Sequence, residues 1–508
     1  MADYYGIDLL NKANIWTGKQ TFLNVETTGG AIGVSWNELT DTYVRTGFAA
    51  GQPCGVTLGD VFLPVQRKMR GCVVADNGTV NYYLGATDWT KKEDGVTASK
   101  LDGTDGQVMV EIPKFWYRYG YSGTTHTWEV SPVPLTGFKV HEAFMSDAVE
   151  KDYLYVGAYE ASLYDVSALK YVGQCYQTAV SATFAAADNS ITITTRTGWA
   201  AALAIGQKLV ITGTTYNNGT KTVKTVSANK ITVDEDITTD ETAAATVIQT
   251  ETNTTGDKLS SVSGVCPITG GSVNGTRAHF RTWAANRGTG WSQYLADSHH
   301  ALQILYLTEY ASFYSQSVLG YGIAAVADWA AYNDSNPIAK TGNGNGTGNA
   351  SGSTATSAIT TGAGAAAVYL KYRGIENFYG HIWKWIDGMN VNNNIPYLCN
   401  NTANFANDTE SNYTRPKDIN GIDITMRNAD GYQITLNKSG RCMMPSSVDA
   451  SSSTSKITDY YWQSTGRRVV SVGGFADNGA LVGCCCLRCY DASSYVSRKL
   501  GGRLVFRK

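Results

Sequence analysis

Tyr379-Gly380-His381-Ile382-Trp383-Lys384-Trp385 is the stretch on which the fold turns. Two others share its texture: Arg468-Val469-Val470-Ser471-Val472-Gly473-Gly474 and the closing Gly501-Gly502-Arg503-Leu504-Val505-Phe506. Each is short, aromatic or β-branched, and punctuated by glycine, which is how strands of a packed sheet read. Residues 432–436 and 460–462 have the same character. Short aromatic strands are therefore predicted from residue 378 to the end.

Toward the N-terminus, residues 108–119 and 153–160 are further β-branched and aromatic runs. Asp76-Asn77-Gly78 separates Cys72-Val73-Val74 from Val80-Asn81-Tyr82-Tyr83-Leu84. That is a hairpin signal, because Asn-Gly accepts the positive φ of a tight turn. Helices are predicted only between residues 276 and 316. The first takes Thr276 as its N-cap and stops at Gly288. The second begins near Asp297 or Ser298 and carries Ala301, Leu302, Ile304, Leu305, Tyr306, Tyr310 and Phe313. Its apolar residues cover most of the circumference, so it is expected to be largely buried. Residues 341–365, dominated by Gly, Asn, Thr and Ala, read as a flexible loop.

From residue 176 to about 256 the composition shifts to Thr, Ala and Val, with alternating runs at 191–194, 209–211, 222–226, 231–233 and 246–248. Such spacing predicts a small all-β module inserted into a larger domain. The chain thus divides into an N-terminal segment (1–40), a small β-rich region (41–105), a discontinuous domain (106–175 and 257–508) and an inserted β-sandwich or barrel-like module (176–256).

Composition excludes several classes of function. The 508 residues hold 41 basic and 43 acidic side chains, only 17% charged in all, with 31 Tyr, 12 Trp and 53 Gly. An aromatic-rich, charge-poor chain is not a disordered one. A net charge of −2 offers no global basic field for nucleic acid. No apolar run approaches the roughly 18 residues of a membrane span. The start, Met-Ala-Asp-Tyr-Tyr-Gly-Ile-Asp, lacks the basic and apolar regions of a Sec-type signal. With ten cysteines spread over a chain able to build its own core, synthesis in a reducing cytoplasm with mostly free thiols is expected.

Motifs of catalysis are weak. The glycine run 342–348 lacks the Lys-Ser/Thr and the helix of a phosphate loop. His299-His300 would diverge by about 100° on a helix, which favours capping or core roles over metal binding. Calcium ligands in EF-hand spacing are absent, and no cofactor is expected.

The C-terminal segment stands apart. Residues 466–508 carry eight basic and two acidic side chains, an excess that suits a contact surface for an anionic partner such as a polysaccharide. From Phe475 to Arg498 there is no Lys, Glu, Gln, Met or Trp, although these supply 70 of the 508 residues. Every residue type present has a codon ending in C, and the five absent types have none. Randomising the first two bases of AAC codons leaves that signature, and it accounts for three adjacent cysteines.

Taken with the three opening stretches, these features resemble C-type-lectin-like domains of the formylglycine-generating-enzyme type. Residues 66–95, 102–116, 155–162, 284–290 and 301–317 are similar to variable proteins of diversity-generating retroelements in bacterial viruses. Trp16-Thr17-Gly18-Lys19-Gln20-Thr21-Phe22 resembles a phrase common in tail-fibre proteins. The resemblance implies an α+β, C-type-lectin-like fold of short twisted strands and two helices. It also implies a homotrimeric receptor-binding protein on the virion tail, made in the host cytoplasm and joined to other tail proteins by its N-terminus. Its partner would be a host-surface polysaccharide or outer-membrane protein.

By the same resemblance the variable, receptor-facing positions are Phe475, Ala476, Asp477, Asn478, Ala480, Leu481, Cys484, Cys485, Cys486, Leu487, Arg488, Cys489, Tyr490, Asp491, Tyr495 and Ser497. Positions that tolerate random substitution should be exposed, because surface changes cost within about 0.5 kcal/mol and core changes several. Two alternatives accompany this reading. Cys484 and Cys489 have the Cys-x4-Cys spacing of the catalytic pair in formylglycine-generating enzymes, which would oxidise a substrate cysteine with copper and oxygen. That placement is shifted by one residue, and Cys485 and Cys486 fit no such role. The other alternative is a structural tail protein without receptor contact.

Overall fold

The computed structural model describes residues 30–146, 148–196, 198–200, 203–326, 339–355 and 368–508. Residues 16–22, read as tail-fibre-like, lie outside them. Glycine fixes the first hairpin: Arg70–Val74 pairs antiparallel with Val80–Tyr83, and Gly78 turns between them at φ +82°. A Cβ on Gly78 would meet the Phe506 ring at 2.2 Å. This hairpin ends a six-stranded sheet ordered Trp291–Gln293, Leu504–Arg507, Tyr153–Gly157, Gln107–Pro113, Arg70–Val74, Val80–Tyr83. The last strand of the chain is thus an inner strand of this sheet.

A five-stranded sheet is ordered Thr42–Gly47, Ile32–Asn37, Thr125–Ser131, Trp116–Ser122, Lys139–Val140. Ile32, Val34 and Trp36 are buried. Residues 32–37, within the N-terminal segment 1–40 drawn from the sequence, are therefore a core strand. Three α-helices occur among the described residues: α1 (Arg277–Ala285), α2 (Ala296–Tyr310) and α3 (Ser315–Leu319). In α2 every residue from Asp297 to Tyr310 is buried. It packs on the strands Ile32–Asn37, Thr125–Ser131 and Trp383–Asn392. Arg277 of α1 donates to Ile386 O, Met389 O and Asn390 Oδ1, fastening α1 to the strand Trp383–Asn392.

Residues 176–250 close into a six-stranded barrel with a hydrophobic core of its own, including Phe184, Ile191, Leu209, Ile211, Val223, Ile231 and Ile248. The C-terminal sheet runs Ile395–Leu398, Trp383–Asn392, Arg467–Val472, Leu487–Asp491, Ile457–Gln463, Gly431–Leu436, Pro445–Asp449, with Leu500–Gly501 added parallel to Trp383–Asn392.

The expectation of an α+β, C-type-lectin-like fold is corrected by this architecture. Among the described residues, strands hold 39% and helices 11%, and one module is a closed barrel. α-Helix occurs among the described residues only between Arg277 and Leu319, too little to build a helical layer. The one long helix among the described residues is wrapped by sheets, and β-branched and aromatic runs form strands around it.

The glycine-rich run is also better anchored than a flexible loop. Glu376 accepts from Gly342 N and Gly344 N at 2.9 Å. Lys371 donates to Gly344 O at 2.8 Å and Gly348 O at 2.6 Å, and Asn349 accepts from Trp89 Nε1 at 2.9 Å. Residues 356–365 of that run lie outside the described residues.

Candidate ligand-binding face

Period-two alternation sorts the C-terminal sheet into two faces. On Ile457–Gln463, Tyr461 turns into the core while Tyr460 and Trp462 turn out; on Leu487–Asp491, Arg488 and Tyr490 turn out. Register brings the outward residues together, because Tyr460 lies opposite Tyr432 and Trp462 opposite Arg488. The rings Tyr432 and Tyr460 are 5.1 Å apart, Tyr460 and Trp462 4.6 Å, and Trp462 and Trp383 5.3 Å. The Arg488 guanidinium then stands 5.9 Å over Trp383 and 5.1 Å over Tyr490. Tyr490 is 47% exposed, and Tyr495 beyond it 40%.

This path of flat, rigid rings ending in a held guanidinium has the chemistry of a recognition surface. Tyr and Trp present large contact areas at little entropic cost, Arg488 is already held by Asp491, and the buried Trp383 backs the path from beneath. A cleft of about 450 Å³ opens nearby between Val496–Lys499 and the barrel residues Tyr176, Thr178 and Gln249.

The sixteen sequence-predicted positions do not share one surface. Asp477, Ala480, Tyr490 and Tyr495 are exposed; Asn478, Leu481, Arg488 and Ser497 are half-buried. Phe475, Ala476, Cys484, Cys485, Cys486, Leu487, Cys489 and Asp491 are buried. For these eight, the expectation of an exposed, substitution-tolerant surface is corrected. Alternation sends Leu487, Cys489 and Asp491 inward. Residues 483–486 form a turn gripped from several sides. Ser315 Oγ accepts from Cys484 N at 3.2 Å, Gln303 Nε2 donates to Cys484 O at 2.9 Å and Gln433 Nε2 to Cys485 O at 2.9 Å. Cys486 and Cys489 act as small apolar fillers.

Burial pushes the thiols of Cys484, Cys486 and Cys489 up from the ordinary range, favouring the protonated form over a reactive thiolate. Cys486 and Cys489 also have Cys-x2-Cys spacing, which in a sequence can signal a metal or redox pair. The structure sends them into different cores, Cys486 with Trp383 and Phe475, Cys489 with Tyr461 and Val470.

The basic excess of residues 466–508 is partly internal: three of its eight basic side chains are buried, and two of those nearer the surface are paired with carboxylates, which leaves less of it for an anionic partner than the sequence suggests. Arg498, Arg503 and Arg507 are buried. Arg503 donates to Gly157 O, Glu376 O and Asn377 O, and Arg507 to Met145 O and Asn400 O. At the surface Arg467 pairs with Glu410 and Arg488 with Asp491. His299 and His300 serve the core: His299 Nδ1 bonds Tyr294 at 3.0 Å and His300 Nδ1 bonds His141 at 3.1 Å.

Sequence reasoning missed Tyr432, Tyr460 and Trp462. The available signal was Tyr460-Tyr461-Trp462, which on a strand places two aromatics on one face. Comparison with protein-family models and with curated proteins finds no match.

Proposed function

We propose that this chain is a non-enzymatic receptor-binding protein of a bacterial-virus tail, and that the outer face of its C-terminal sheet meets the host cell. The observation that carries the proposal is the exposed pair Tyr490 and Tyr495 beside Arg488 and Trp462, the two tyrosines lying in the segment 475–498 that lacks Lys, Glu, Gln, Met and Trp, a residue bias consistent with diversification. The ordered similarity of residues 66–95, 102–116, 155–162, 284–290 and 301–317 to retroelement variable proteins supports it. In this reading Trp462, Tyr460 and Tyr432 are a constant platform, Arg488 is a contact held in place by Asp491, and Tyr490 and Tyr495 are the adjustable contacts on a homotrimeric particle attached through the N-terminal segment.

Tyr490→Ala combined with Tyr495→Ala tests the proposal, since both side chains stand in solvent and their loss leaves the core untouched. Adsorption of particles carrying the variant should fall at least tenfold with an unchanged melting temperature. Unchanged adsorption overturns the site. Periodate or protease treatment of the cells then distinguishes a polysaccharide from a protein receptor. Diversification is tested beside the gene: a reverse transcriptase and a near-copy of the 3′ end, differing at template adenines, are expected.

A further inference from the structure

Beneath the aromatic face lies a cluster that the receptor-binding reading does not use. The turn closed by Cys486 N and Gly483 O at 3.2 Å brings Cys484 Sγ and Cys485 Sγ to 3.8 Å. Asp459, on the adjacent strand Ile457–Gln463, places a carboxylate oxygen at the same spot. That oxygen and both sulfurs lie within 4.8 Å of one another, and all three residues are buried. Asp459 accepts from Cys485 N at 2.6 Å and from the Thr458 hydroxyl at 3.4 Å. Among the described residues it has no ion-pair partner, whereas buried carboxylates are ordinarily paired or bound to metal. The Tyr306 hydroxyl, buried and without a hydrogen-bond partner, feels Cys484, Cys485 and Asp459 electrostatically.

The spacing is informative. Two sulfurs each about 2.3 Å from one tetrahedral zinc ion stand about 3.8 Å apart, whereas disulfide sulfurs stand about 2.05 Å apart. Gly483 provides the room, since a Cβ there would fall 1.9 Å from Asp459 Oδ1. A cavity of about 30 Å³, lined by Cys485, Cys486, His299, His300 and Gln303 among others, adjoins the cluster. It is large enough for one water as a further ligand.

We propose that Asp459, Cys484 and Cys485 form a binding site for a borderline-soft divalent cation of the zinc class. Two thiols and one carboxyl release their protons as the ion enters, so one cation replaces three protons. Bound there, the ion ties the turn 483–486 to the strand Ile457–Gln463 and braces the display face from below. The inference is independent of the receptor reading and survives its failure.

The test uses the full chain produced in zinc-supplemented medium, desalted, and assayed for metal by mass spectrometry. About one zinc per chain is expected, falling at least tenfold in Cys484→Ser and in Asp459→Asn and unchanged in Cys489→Ser. Loading with Co²⁺ should add thiolate-to-cobalt charge-transfer absorption in the near ultraviolet. Because the wild-type result needs no variant to fold, wild-type chain without metal overturns the proposal. So does metal retained in the doubly substituted Cys484→Ser, Cys485→Ser chain, or cobalt bound without the thiolate band.

Discussion

Arg488 closes a two-point ion pair with Asp491 three residues along the same strand, Nε and Nη2 each 2.8 Å from a carboxylate oxygen. The pair is asymmetric, with the Arg488 side chain 22% exposed and that of Asp491 3%. Losing Asp491 leaves a guanidinium that can turn to water; losing Arg488 leaves a carboxylate stranded inside. Arg488→Ala should therefore cost about 2–3 kcal/mol and Asp491→Asn about 1 kcal/mol. Urea unfolding of both variants checks the order, and the reverse order refutes the argument.

A larger effect is expected at Glu160. It is fully buried, 2.8 Å from Lys384 Nζ, and bonded to His381 Nδ1. Burial opposes its charge, yet His381 and Lys384 outweigh that penalty and hold the carboxyl down at about 2. Glu160→Gln keeps the shape and removes the charge, so the buried Lys384 loses its counter-ion. The expected cost is about 3–5 kcal/mol. A loss under 1 kcal/mol in urea unfolding would show that Lys384 sheds its proton instead.

What could be read in advance divides along physical lines. Local signals were legible: Asp76-Asn77-Gly78 is the hairpin turn, Asp297 to Tyr310 is the buried helix, and runs such as 209–211 and 231–233 lie in strands. Ile32–Asn37 was missed because a six-residue alternation in polar surroundings shows its worth only when paired on both sides. The fold class failed because local helical signal says nothing about how sheets enclose a helix. At the candidate face, residue types were legible and orientation was not. Whether Cys489 or Arg488 points outward depends on a register set by the strand Ile457–Gln463. Asp459 carried no signal, since its partners lie 25 and 26 positions away.

The buried histidines set the response to acid. Burial holds His141 down at about 4 and His299 at about 3, and lowers His300 well below its ordinary 6.5. His141 Nδ1 accepts from Ala143 N, so its Nε2–H donates to His300 Nδ1, and both rings are neutral. The unfolded chain takes up protons below about 6.5 that the folded chain refuses until about 4. Stability is therefore lost as pH falls through that window. Glu142 and Arg441 face the same pair and contribute to the wild-type slope. The comparison is thus with His300→Gln, whose amide still accepts from His141. Denaturant midpoints from pH 6.5 to 4 should fall less steeply in the variant, and parallel slopes would exclude His300 as a source.

Asp459 works in the opposite direction. Burial raises its carboxyl to about 8 from an ordinary 3.8, so without a bound cation it is protonated in the folded chain at neutral pH. The unfolded chain ionises it near 3.8 and so binds fewer protons between about 4 and 8. Over that range folding must retain a proton that water would take, and stability falls as pH rises. Asp459→Asn removes the titration while its amide oxygen still accepts from Cys485 N. With a chelator present, the variant should gain on wild type steadily from pH 5 to pH 8, measured as the difference in urea midpoint. With zinc present, the ranking should invert, because the ion then stabilises only the chain that retains the carboxylate. A constant difference in both conditions would place neither a proton nor a cation at this carboxyl.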